Sequence, residues 1–210
     1  MEQEKRLATK RDTDNAMKIN PNPQGKAALP LLDELRHWNQ GAATEKSARD
    51  ILGDYLASLL VLSAEFNFRP VPGREYYLYY RAGHWQLSLL SPSDWGSSRQ
   101  GDFAGACVLR PDATWSITLC ETLAQREELL SALKAFQRAF GENLDSDTAM
   151  AEGLPYFERH LPYYRKVLAF ALSHSLSTSL GALGLQHSSG RQLLSRQAAR
   201  PSLEKPVTDW

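Results

Sequence analysis

Between Pro72 and Trp115 the chain alternates with a period of two, and this stretch restricts the fold more than any other. It holds three of the five Trp and four of the eight Tyr. Tyr76, Leu78 and Tyr80 fall on one face of an extended strand, and Tyr77, Tyr79 and Arg81 on the other. Ala82-Gly83 fits a tight hairpin turn, after which Trp85, Leu87 and Leu89 continue the return strand. Arg110-Pro111-Asp112-Ala113 has Pro where a type I turn accepts it, joining a strand at about 103–109 to one at about 114–120. The pattern predicts four antiparallel strands in sequential order, a β-meander over 72–120. Between the second and third strands, Ser91-Pro92-Ser93-Asp94-Trp95-Gly96 reads as one helical turn. Ser91 sits at the cap, Pro92 at the first position and Asp94 at the third, as in a capping box.

Helical spacing surrounds this block. Leu29, Leu31, Leu32, Leu35 and Trp38 predict a short helix over 29–38, ended by Gly41. Thr44 reads as the N-cap of a helix over 45–64, whose apolar stripe runs through Ile51, Leu52, Tyr55, Leu56, Leu59 and Leu60. A stripe that broad should lie against a sheet. Leu123, Leu129, Leu130, Leu133, Phe136 and Phe140 predict a helix over 122–140, stopped by Gly141. An acidic loop over 142–154 leads to helices over 155–185. The fold class expected is α+β: a four-stranded antiparallel meander packed against flanking helices, with disordered termini. A polar tail over 1–26, one domain over 27–187 and a second tail over 188–210 complete that organisation.

Composition removes several function classes. The net charge is zero, which takes away the electrostatic footprint of a nucleic-acid-binding chain. The N-terminus has no apolar core of a secretory signal. Two cysteines, Cys107 and Cys120, are too few for a disulfide framework and fit reduced thiols in the cytoplasm. Val167–Gly190 lacks Lys, Arg, Asp and Glu, but its Ser, Thr, His and Gln residues make it too polar for a spanning segment. The five His are scattered, with no pair at ligand spacing, so no metal and no cofactor are expected. A calcium-like acidic run at Asp145 and Asp147 has Met150 where the loop needs Gly.

The stretch from Gly73 to Trp115 resembles the family of uncharacterised proteins known as domain of unknown function 2452. The resemblance rests on Gly73, Tyr76-Tyr77-Leu78-Tyr79, Ser88, Ser91-Pro92, Asp94-Trp95-Gly96, Asp102-Phe103, Gly105-Ala106, Asp112 and Trp115. The chain departs from that pattern before the meander, where Leu62 to Phe66 replace a His-containing segment and a Cys-Asn pair keeps only Asn67. Cys107 stands where the family has Tyr, and Thr114 where it has Ser. The resemblance implies a shared sheet and carries no activity with it.

No nucleophile elbow, phosphate loop or dinucleotide fingerprint occurs. Ser91 and Asp94 are explained by a local cap, and Cys107 by burial in a strand. Whether the chain is an enzyme stays open at this point. The leading expectation is a non-enzymatic interaction module that binds a protein partner through the aromatic strands and the 91–102 loop. Its candidate binding residues are Tyr77, Tyr79, Trp85, Asp94, Trp95, Asp102 and Trp115. The rival reading is a small enzyme or small-molecule binder, with a pocket between the meander and the 155–185 helix. An open sheet edge would also admit a homodimer.

Overall fold

Glu75–Arg81 reads Glu-Tyr-Tyr-Leu-Tyr-Tyr-Arg, a run whose large side chains pack best with a strand on either side. A computed structural model, which describes residues 46–95, 101–145 and 163–195, places this run as strand β1 in the interior of the sheet. Its neighbours are β2 (His84–Ser88) and β3 (Asp102–Leu109), and β4 (Trp115–Leu119) pairs with β3. All pairings are antiparallel, and the order is β2-β1-β3-β4. The four-stranded antiparallel sheet of an α+β fold is thus as expected, but the sequential order is corrected.

The physical reason lies in the connections. The two-residue turn Ala82-Gly83 forces β1 and β2 together, with positive φ at both positions as a type I′ turn requires. Residues 89–101 impose no such constraint, and β3 finds a longer, more aromatic partner in β1 than in β2. The far side of β2 is met by Glu65, which makes a parallel bridge to Gln86. Glu65 N–H donates to Trp85 O at 2.8 Å, and Leu87 N–H to Glu65 O at 3.0 Å. Between Leu78 and Tyr79 the β1–β3 register shifts, leaving Ala104 as the extra residue of a bulge. Gly105 is required where β3 passes β4, because a Cβ there would collide with the Thr118 carbonyl.

Residues directly opposite in antiparallel strands share a face. Tyr76, Leu78, Leu87, Cys107, Leu109, Trp115 and Ile117 therefore line one face, and all are buried. Helix α1 (Ala48–Ser63) lies against it. α1 begins at Ser47, not at Thr44, which lies outside the described residues. Ser47 Oγ accepts from Asp50 N–H at 3.2 Å, and Asp50 Oδ2 accepts from Ser47 N–H at 3.1 Å, a complete capping box. Ile51, Leu52, Tyr55, Leu56, Leu60, Val61 and Leu62 are buried around most of the helix circumference. Helix α3 (Tyr163–Ala182) packs on α1, which explains the width of its apolar stripe.

A 3₁₀ turn (Glu121–Gln125) precedes α2 (Glu127–Leu144). Gly141 does not stop α2 but sits within its last turn, facing open space. The Tyr55 and Phe140 rings meet edge to face at 5.4 Å and join α1 to α2. α3 ends in a Schellman motif: Gly184 has φ 67°, and Leu185 N–H donates to Leu180 O at 2.8 Å. A short helix α4 (Gly190–Ser195) follows, with Leu193 fully buried and Gly190 pressed on the Leu144 carbonyl. No helix among the described residues is long and apolar enough to cross a membrane.

Two polar devices fix α1 to the sheet. Buried Ser58 donates to Asp54 O at 2.6 Å and accepts from Trp115 N–H at 2.9 Å. Lys46 reaches Asp54 at 2.8 Å and Asp112 at 2.5 Å, and Arg110 reaches Asp54 at 2.6 Å. The expected helix over 29–38, the tail over 1–26, the segment 146–162 and the part of the 188–210 tail beyond 195 lie outside the described residues; the start of that tail is instead the packed helix α4, anchored by buried Leu193.

Candidate functional site

The face of the sheet away from α1 carries Glu75, Tyr77 and Tyr79 from β1, with Ala106 and Val108 of β3 beside them. Across the bulge, Phe103 stands opposite Tyr79. Its ring is 5.6 Å from that of Tyr79 and 6.3 Å from that of Tyr77, both tilted. The loop after β2 folds back to the same place. Tyr79 donates its hydroxyl hydrogen to the Leu90 carbonyl at 3.0 Å, so β1 holds the loop directly.

The loop is built locally, much as its sequence predicts. Ser91 N–H donates to Asp94 Oδ2 at 2.8 Å and Asp94 N–H to Ser91 O at 3.0 Å, closing one turn. The Ser91 hydroxyl donates to the Asp94 carboxylate at 2.6 Å rather than accepting from the backbone, so only the acid half of a capping box forms. Those Ser91 bonds hold the exposed Asp94 carboxyl below the usual carboxylate range. Trp95 follows at the end of the turn. Its indole Nε1 is buried without an acceptor at hydrogen-bond geometry.

Glu75 and Asp94 bring negative charge to the tyrosine hydroxyls of this face. The Tyr77 hydroxyl donates to Glu75 at 2.7 Å, and this bond, with the charges of Glu75 and Asp94, raises the Tyr77 pKa. Tyr79 is raised chiefly by burial and further by Asp94; the nearby Trp95 indole works against the rise. Leu89 and Leu90, 41% and 43% exposed, add apolar surface beside the ring cluster.

The seven residues singled out from sequence do not form one site. Tyr77, Tyr79, Asp94 and Trp95 come together on the outer face. Within that group, Tyr79 is 2% exposed and acts as the floor. Trp115 is placed on the opposite face at 1% exposure, edge to face with Tyr76 at 5.7 Å, and is a core residue. Trp85 also belongs to that inner side, against Tyr80 at 4.8 Å. Asp102 pairs with Arg126 at 3.0 Å at the end of the sheet. There a shallow pocket of about 250 Å³ is lined by Tyr80, Arg81, Ala82, Gly101, Asp102 and Glu128. It adjoins α2 and the β1–β2 turn, whereas the rival reading placed a pocket beside the 155–185 helix.

Phe103, Glu75, Leu89 and Leu90 were absent from the sequence-based set. Strand parity from Tyr77 would have found Glu75; Phe103 needed the register across the bulge. Cys107 and Cys120 are free, and burial pushes the Cys107 thiol up, which leaves it inert. Among the described residues, no group of three His, Cys, Asp or Glu side chains gathers to hold a metal.

No solved structure matches the chain. Residues 38–139 match the family model described as Protein of unknown function (DUF2452), wider than the 73–115 motif stretch; that segment, which holds α1, the sheet and most of α2, carries the domain of this family.

Proposed function

We propose that the outer face of the sheet binds a protein partner, and that the chain works as a non-enzymatic interaction module of the reducing cytosol. The observation that carries this reading is the clustering of Tyr77, Tyr79 and Phe103 on the side of the sheet turned away from α1, with Trp95 beside the Tyr79 hydroxyl. Leu89 and Leu90 are exposed at its margin. The inner face already buries Trp115, Tyr76 and Leu78 against α1, so the core does not require a second aromatic layer. Aromatic side chains with polar tips are the residues that supply binding energy at protein interfaces. The preformed loop lowers the ordering cost of an encounter, since Ser91, Asp94 and Tyr79 already hold its shape.

The test is affinity capture from native lysate with wild type and a Tyr77→Ala, Trp95→Ala variant, both checked for cooperative unfolding. Tyr79 is left intact because its burial makes Tyr79→Ala a test of folding. A partner retained by wild type and lost by the folded variant supports the proposal. A partner retained equally by both would contradict it.

A further inference from the structure

The outer face is not only aromatic; it is also flanked by two carboxylates. Glu75 lies at one end of the Tyr77 ring, bonded to its hydroxyl at 2.7 Å. Asp94 stands on the loop that Tyr79 holds, close enough to act on both the Tyr77 and Tyr79 hydroxyls. Both acids are exposed, and neither is neutralised by an ion pair among the described residues. Of the nearby cations, Arg81 shares this face by strand parity but stands at the end of β1 away from Glu75, where it lines the pocket, and Arg74 sits over the Tyr76 ring at 6.0 Å. The ring faces of Tyr and Trp present negative charge density, which attracts a cation in van der Waals contact. The rings and the two flanking acids therefore agree on one sign of charge.

We infer that the partner segment that occupies the outer face is basic, with an arginine or lysine side chain lying over the Tyr77 ring and pairing with Glu75 or Asp94. This inference rests on the reading of the outer face as a binding surface, and it specifies the chemistry of the partner. Leu89 and Leu90 then receive the aliphatic part of the same segment. Arginine suits the site better than lysine, because its planar guanidinium stacks on a ring while donating to a carboxylate.

The experiment uses the full chain, labelled with ¹⁵N, and titrates it with a short arginine-rich peptide. Matched peptides carry glutamine or glutamate in place of arginine. Shifts of the Trp95 indole N–H and the Tyr77 amide are expected with the arginine peptide alone. The affinity should fall about tenfold in Glu75→Gln, the loss of one charge-assisted contact. Glu75 lies outside the 88–95 loop, so this variant leaves the loop intact; Asp94→Asn is the second variant. An arginine peptide that moves neither signal, or a glutamine peptide that moves them equally, overturns the inference. The partner from lysate separates the two levels. Lost in Tyr77→Ala but kept in both Glu75→Gln and Asp94→Asn, it sinks the basic-segment inference and leaves the binding surface; kept in all three, it sinks both.

Discussion

Tyr79 and Leu90 are joined by one hydrogen bond: the phenol, from the middle of the sheet, donates to the loop carbonyl at 3.0 Å. Through it a buried strand residue sets the position of the loop that displays Asp94 and Trp95. Tyr79→Phe keeps the ring in the core and removes only this bond. The expected cost is about 1 kcal/mol of stability, with faster amide exchange confined to residues 88–95. Exchange that is unchanged in that loop would show that Tyr79 does not hold it.

The attachment of α1 to the sheet depends on Ser58. It is fully buried and is the acceptor for the Trp115 backbone N–H at 2.9 Å. Ser58→Ala leaves that donor without a partner, at an expected cost of about 1–3 kcal/mol in urea unfolding. A loss below roughly 0.5 kcal/mol would mean that the pairing contributes little.

Ala82 has φ 49° in the β1–β2 turn, a left-handed conformation that a residue with a Cβ adopts only at a cost. Asn tolerates it and is favoured there before Gly83. Ala82→Asn should therefore raise stability by about 0.5–1 kcal/mol, read as a higher thermal midpoint with binding unchanged.

Acid should loosen the contact between α1 and the β3–β4 turn. Burial opposes ionisation of Asp112, but bonds from Lys46 and Thr114 outweigh it and lower its pKa below 3.8. A carboxyl lowered by folding stabilises above its unfolded value and loses that contribution as pH falls through the folded one. Lys46 is the mirror case. Burial lowers its pKa, Asp54 and Asp112 raise it more, and the net rise above 10.5 gives a contribution lost only as pH climbs through the folded value. Asp112→Asn should reduce the drop in urea midpoint between pH ~5 and pH ~3. An equal drop in both proteins would place the acid sensitivity elsewhere.

Gly105 admits no side chain, since a Cβ would meet the Thr118 carbonyl across β3 and β4. Gly105→Ala should cost about 1–3 kcal/mol or more, because backbone must move to accommodate it. A wild-type unfolding midpoint in this variant would contradict the close approach of these strands.

Much of this fold can be read from the chain, because period and turn chemistry are local. The β1–β2 hairpin and the Arg110–Ala113 turn follow from Ala82-Gly83 and Pro111, and the latter closes with Ala113 N–H to Arg110 O at 3.0 Å. The Ser91–Asp94 turn is equally local. The strand order is not, since nothing in 89–101 dictates which edge β3 selects. Thr44 has the hydroxyl of a cap, but α1 is capped by Ser47, whose partner Asp50 three residues on closes the box. The candidate site was half legible for a related reason. Tyr77 and Tyr79 share a face by parity alone, but placing Trp95 with them and Trp115 away from them depends on the register of four strands and one bulge.

The most direct test of the outer face as a binding surface is site-specific photo-crosslinking in native lysate. A benzophenone amino acid replaces Tyr77 on the outer face or, as the control, exposed Thr178 on α3. The account predicts a discrete crosslinked partner from position 77, competed away by unlabelled wild-type protein, and no such product from position 178. Crosslinking from 178 and none from 77 would contradict it.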